Sequence, residues 1–153
     1  MLRVAIVGSR NYFPHHHIYS LVRSRLPAAC TVVTGGARGV DTWAETAAQN
    51  RLDFPPPKIF LPNKTTMGNC LPCAFFARNQ RIVDFSDVLI AFWDGKSRGT
   101  KDVFNRARKR WPDLARVWCI MPSSYSWWAP AIQGTLQQYV DYGLPERKML
   151  SDA

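Results

Sequence analysis

The feature that most constrains the fold is an alternation. Short apolar runs at 2–7, 30–33, 58–61, 87–92 and 116–121 are separated by stretches whose apolar residues recur at helical spacing. Runs that stay apolar at consecutive positions, with β-branched residues among them, belong to strands covered on both faces. Strands that alternate with helices in this way build an open parallel sheet with helices on both sides. The expectation is therefore an α/β chain with a single parallel sheet of about five strands.

The first helix is expected over 18–26, where Ile18, Leu21, Val22 and Leu26 form a stripe before Pro27 stops it. A second runs from about Gly39 to Asn50, and a third from about Leu71 to Phe85. The fourth buries Val103, Phe104, Ala107 and Trp111. The last spans about 132–142 and ends at Gly143 and Pro145. At 153 residues the chain fits one domain, over 1–145, with a loose tail at 146–153. The polar segment 63–69 is expected as a loop over the top of the sheet.

Right-handed crossovers put every strand-to-helix loop at one edge of such a sheet. Three loops there are rich in glycine or small polar residues: Gly8-Ser9-Arg10, Thr34-Gly35-Gly36-Ala37-Arg38-Gly39-Val40-Asp41, and Asp94-Gly95-Lys96-Ser97-Arg98-Gly99-Thr100. Glycine lets the backbone turn tightly or meet a ligand, and a helix start offers unpaired N–H groups to an anion. One such turn alone is equally well a plain structural turn. Three that converge favour phosphate binding, because ligands of open sheets sit outside the carboxyl ends of the strands. Arg78 falls among Leu71, Phe75 and Ile82 on an otherwise apolar helix face. It must meet a carboxylate or an anionic ligand, or snorkel outward, and Asp84 and Asp87 are near enough in sequence to pair with it.

The net charge of +9 points to an anionic partner without choosing among nucleotide, nucleic acid and acidic protein surface. The basic residues between Lys101 and Arg116 read first as a solvated helix face. No apolar run approaches a membrane span, and Met1-Leu2-Arg3 enters the first strand directly, so no membrane partner, no cleaved leader and a cytoplasmic location are expected. Four cysteines in such a chain do not suggest a disulfide framework. Cys30 and Cys119 read as packing residues. Cys70-Leu71-Pro72-Cys73 has redox or half-zinc spacing, without a second pair to close a metal site. His15, His16 and His17 are expected in an exposed loop rather than as the missing ligands, so neither metal nor cofactor is expected.

None of the loops is a dinucleotide fingerprint or a Walker loop. The ordered set Val7-Gly8-Ser9-Arg10, Thr34 to Asp41, Ala77-Arg78-Asn79 and Gly95-x-Ser97-x-Gly99-Thr100 instead resembles the YspA-like family of the SLOG superfamily. That superfamily also holds the Lonely Guy phosphoribohydrolases and the DNA-processing protein DprA. The resemblance covers about 1–121 and implies a Rossmann-like domain that binds nucleotides or nucleotide-derived signals. Carried over by position, Gly8, Ser9, Gly35, Gly36, Gly39, Gly99 and Thr100 would donate to phosphate, and Arg38 and Arg78 would supply charge. Arg10, Ala37, Asp41, Asn79, Asp94, Gly95 and Ser97 complete the expected ligand-binding set.

The hydrolase branch carries Pro-Gly-Gly-x-Gly-Thr-x-x-Glu, and here Val103 stands where that glutamate should be. Glycosidic cleavage needs a carboxylate near the developing positive charge. Asp102 is about a quarter turn off the required face. Asp94 and Asp41 would have to substitute, with Arg78 on the phosphate, although capping or bracing a loop is the expected role of both. The first reading is thus a nucleotide-binding module, the second an N-glycosidic hydrolase of nucleoside monophosphates. The third is a DprA-like binder of single-stranded DNA, which the charge and Trp93, Trp127 and Trp128 would suit. Trp127 and Trp128 read first as an interface between copies, and a homo-oligomer is expected.

Overall fold

A computed structural model describes residues 1–65, 70–112 and 115–145. The elements are β1 (Arg3–Gly8), α1 (His16–Ser20), β2 (Thr31–Thr34), α2 (Val40–Gln49), β3 (Lys58–Ile59), α3 (Leu71–Phe85), β4 (Val88–Phe92), α4 (Arg98–Arg110), β5 (Val117–Ile120) and α5 (Tyr125–Tyr142). All pairings are parallel and the strand order is β3-β2-β1-β4-β5. This is the expected α/β sheet. Its order reverses between β1 and β4, so the loops that leave those two strands diverge and open a crevice at their carboxyl ends.

Alternation along the central strands sorts the core into two layers. Val4 and Ile6 face Ile18 and Leu21, Ala44 and Ala47 of α2, and Ile132 and Leu136 of α5. Ala5 and Val7 face the other way, against Ile82 and Val83 of α3 and Val103 and Ala107 of α4. The helices on the second face carry the candidate site, and burial of these residues fixes where their exposed ends stand.

Three boundaries depart from expectation for identifiable reasons. The first helix starts at His16, and its second half, Leu21–Arg25, closes π-type bonds such as Leu26 N–H to Leu21 O at 3.0 Å. His15 thus stands in the expected exposed turn, whereas His16 and His17 belong to the helix. His17 is buried, bonded through Nδ1 to the Tyr12 hydroxyl at 2.8 Å and stacked on Tyr125 at 4.1 Å. Burial, and the charge of His16 beside it, hold the His17 imidazole below its ordinary pKa. The last helix begins at Tyr125 and continues through Pro130. A proline removes one helical bond, and here the carbonyl left over belongs to exposed Ser126, where water can take its place. β3 is also shorter than its apolar run, since Phe60 makes a last bond to Thr34 O at 2.9 Å and Pro62 follows. The expected tail at 146–153 and part of the loop at 63–69 lie outside the described residues. Among the described residues no helix is long and apolar enough to cross a membrane.

Candidate functional site

The first two turns are locked together. An added Cβ at Gly8 would stand 2.6 Å from Val40 Cγ2, and one at Gly39 would stand 2.6 Å from Arg10 O. Gly39 also holds φ at 84°, a conformation that side chains disfavour. Asp41, in the first turn of α2, spans both turns: Oδ1 accepts from Gly8 N–H at 3.2 Å and Oδ2 from Gly35 N–H at 2.8 Å. Its burial raises the carboxyl pKa to about 6, against the pull of the Gly35 N–H and of Arg78. Asp41 is a brace whose two oxygens are already engaged.

Arg78 is the residue that the apolar helix face left without an obvious partner. It pairs with neither Asp84, which takes the Gln80 amide at 2.9 Å, nor Asp87, which takes Arg3 at 3.1 Å. Instead Nη1 donates to Gly35 O and Nε to Asn79 Oδ1 at 3.0 Å. Gly35 has to be glycine for this contact, since a Cβ there would stand 2.6 Å from Arg78 Nη1. Burial lowers the guanidinium pKa and the Asp41 charge opposes that shift. Asn79, buried beside it, donates to Asp102 Oδ2 at 3.0 Å, and Arg106 Nε meets the same oxygen at 2.8 Å. Asp102 is thereby held against α3 and away from the position that Val103 occupies.

In the third turn Asp94 Oδ1 accepts from Lys96 N–H at 2.8 Å and Ser97 N–H at 2.9 Å. Burial pushes the Asp94 pKa up, and the N–H groups of Lys96 and Ser97 outweigh it, so the carboxyl sits below its ordinary value. Ser97 caps α4, accepting from Thr100 N–H at 3.4 Å. Ser9 is buried between the turns, its Oγ 3.1 Å from Asp94 N–H as acceptor and 3.4 Å from Thr100 Oγ1.

These turns wall a cleft of about 950 Å³. Gly8, Arg10, Gly35, Gly36, Ala37, Arg38, Asp41, Arg78, Asn79, Asp94, Ser97, Gly99 and Thr100 line it. Ser9, Gly39 and Gly95 are not part of that lining. Leu61, Pro62, Lys64, Phe75, Phe76 and Lys96 also line the cleft and escaped the sequence reading. Phe75 was legible only as part of the buried stripe, yet it faces Arg78, with 5.8 Å from the guanidinium to its ring, and Lys64 at 5.9 Å. Trp93 donates its indole N–H to Ser97 O at 3.0 Å and, like Trp127 and Trp128, is absent from the lining. Cys70 and Cys73 form a disulfide at the start of α3, as their Cys-x-x-Cys spacing allows, instead of half of a metal site. Cys30 is buried and Cys119 half-buried.

Chemically, the cleft offers cations, while Asp41 through both oxygens and Asp94 through Oδ1 hold the turns. Among the described residues Arg10, Arg38 and Lys96 meet no carboxylate within ion-pair distance. No protein-family profile and no curated protein matches the chain. A solved structure of DNA processing protein A from Helicobacter pylori, described for its single-stranded DNA binding mode, is similar at a TM-score of 0.55 and 29% identity, over 71% of this chain and 61% of that one. The chain thus spans less than two thirds of that protein. Fold and motif order together support the SLOG superfamily, of which DNA processing protein A is a member.

Proposed function

We propose that the cleft binds the phosphate backbone of single-stranded DNA. The observation that carries this reading is the cleft's charge: Arg10, Arg38, Lys64, Arg78 and Lys96 line it, while Asp41 and Asp94 are turned into its framework. The similarity to a DNA processing protein supports the same reading, as does the net charge of +9. Phe75 and Phe76 would present rings beside the cations. Within the superfamily the four motifs favour the YspA-like branch. Glycosidic hydrolysis is disfavoured, because Val103 stands at the usual glutamate position and Asp41 would have to abandon two backbone N–H groups to act at a ribose.

The cleft volume favours one second reading, a free nucleotide or nucleotide-derived ligand, since about 950 Å³ is within the usual size of a small-molecule pocket. Fluorescence polarisation with a labelled oligothymidylate tests the first reading, with nucleoside 5′-monophosphates as competitors. The expected result is salt-sensitive binding that weakens about 10- to 100-fold in Arg78→Ala, the loss of a charged hydrogen-bonding group. Binding of the monophosphates alone would install the second reading instead. A second copy of the chain would meet the exposed Trp127 and Trp128, a point that sedimentation velocity decides.

A further inference from the structure

Beside the cleft lies an aromatic array that its lining does not include. Phe13 is 71% exposed and stands three residues from Arg10, so their Cα atoms are at most roughly 11 Å apart. Its ring meets His15 edge to face at 5.6 Å, and His15 in turn lies over Trp43 at 3.4 Å with the planes tilted by 31°. Trp43 is one turn into α2, its N–H bonded to Gly39 O at 3.0 Å, and Gly39 is where the Arg10 backbone packs. The three rings therefore stand on the outer side of the same two turns that carry Arg10 and Arg38.

A single exposed apolar residue is ordinary. Here the exposed ring is the outermost of three in contact, and its neighbours along both turns are arginines without a carboxylate partner among the described residues. Packing does not account for Phe13, which leaves most of its surface in water and gains little from burial. Rings backed by rings and flanked by cations are what a single strand needs: charge for the phosphates and a flat face for a base.

We propose that Phe13, supported by His15 and Trp43, is a stacking site for a nucleobase of single-stranded DNA whose phosphate lies in the cleft. The proposal rests on the reading of the cleft given above. Stacking uses the π-face that every base has, so the site would be tolerant of sequence. It also predicts that the strand leaves the cleft across the first turn, toward α1.

The test is polarisation binding of wild type, Phe13→Ala, Phe13→Tyr and Arg78→Ala to a labelled oligothymidylate and to an abasic oligomer of the same length and charge. Phe13→Ala is expected to weaken oligothymidylate binding about 5- to 100-fold and to leave the abasic oligomer unchanged, with Phe13→Tyr close to wild type. Because Phe13 is exposed, unchanged melting temperatures are expected and serve as the folding control. Full affinity of Phe13→Ala for oligothymidylate, with Arg78→Ala still impaired, overturns the stacking site and leaves the cleft reading standing. Equal loss on the abasic oligomer also overturns it. Failure of wild type to bind either oligomer removes the cleft reading and the stacking site together.

Discussion

The turn after β2 and the turn after β4 look alike in sequence, each a glycine-rich passage from strand to helix, and differ in what their glycines do. In the first, Gly35 makes way for the Arg78 guanidinium and Gly39 makes way for the Arg10 backbone at φ 84°. In the second, Gly95 also holds a left-handed φ of 85°, but a Cβ on Gly99 would meet nothing within 4 Å, and its φ is not in the left-handed region. The fold requires the first pair. It does not require Gly99, which stands at the start of α4 where most residues would serve the helix better. A glycine that packing leaves unexplained on a cleft wall is one that lets something approach the backbone, and this is why the two turns should respond differently to substitution.

The largest effect should come from Gly39→Ala, which forces a side chain into both a disfavoured φ and the Arg10 carbonyl. A loss of about 3 kcal/mol is expected, seen as a drop of roughly 10 °C in thermal melting. A variant that melts like wild type would break the contrast. Asp41→Asn comes next, at about 2 kcal/mol, because it replaces a charged acceptor of two N–H groups with an amide that can accept from only one side.

The same two turns should have opposite pH signatures. The Asp41 pKa is raised in the folded chain to about 6, so the folded state holds a proton that the unfolded chain has released. Its contribution to stability is present below the ordinary aspartate pKa, is lost as pH rises to about 6, and is flat above. For Asp94 the pKa is lowered, so its contribution is present above the ordinary value and is lost as pH falls through the folded value. Melting curves across pH 3 to 7, for wild type and Asp41→Asn, check this: the variant should lose the component that declines up to about pH 6. The smallest effect on stability is expected for Gly99→Ala, a change between zero and a gain of about 1 kcal/mol, accompanied by weaker oligonucleotide binding. Unchanged binding in that variant would remove the reason to treat the second turn as a contact surface.

The sheet was legible because buried parallel strands write themselves as continuous apolar runs, and the glycine turns because few other residues fit where they do. Arg78 was legible as an anomaly, a charge on an apolar stripe, but its partner was not: Gly35 O is a backbone atom 43 residues away and leaves no side-chain signature. Asp41 and Asp94 were correctly suspected of bracing, since an aspartate one or two positions from a glycine turn has N–H groups within reach. Phe75 and Leu61 were missed because facing a cleft and facing a core look identical in a pattern of apolar spacing, and Lys64 because one lysine in a polar loop carries no signal of its own. His17 was missed for a related reason: three successive histidines suggest solvent, and nothing local announces that the Tyr12 hydroxyl would receive the third.

The brevity of the outermost strands bears on how the molecule behaves when crowded. β3 offers two residues of unpaired edge, Lys58 and Ile59, hemmed in by prolines at 55–57 and at 62. A sheet margin so short, with a lysine on it and prolines at both ends, gives a neighbouring chain almost no template on which to extend. Copies of the protein brought close together therefore have little tendency to pair along the β3 margin.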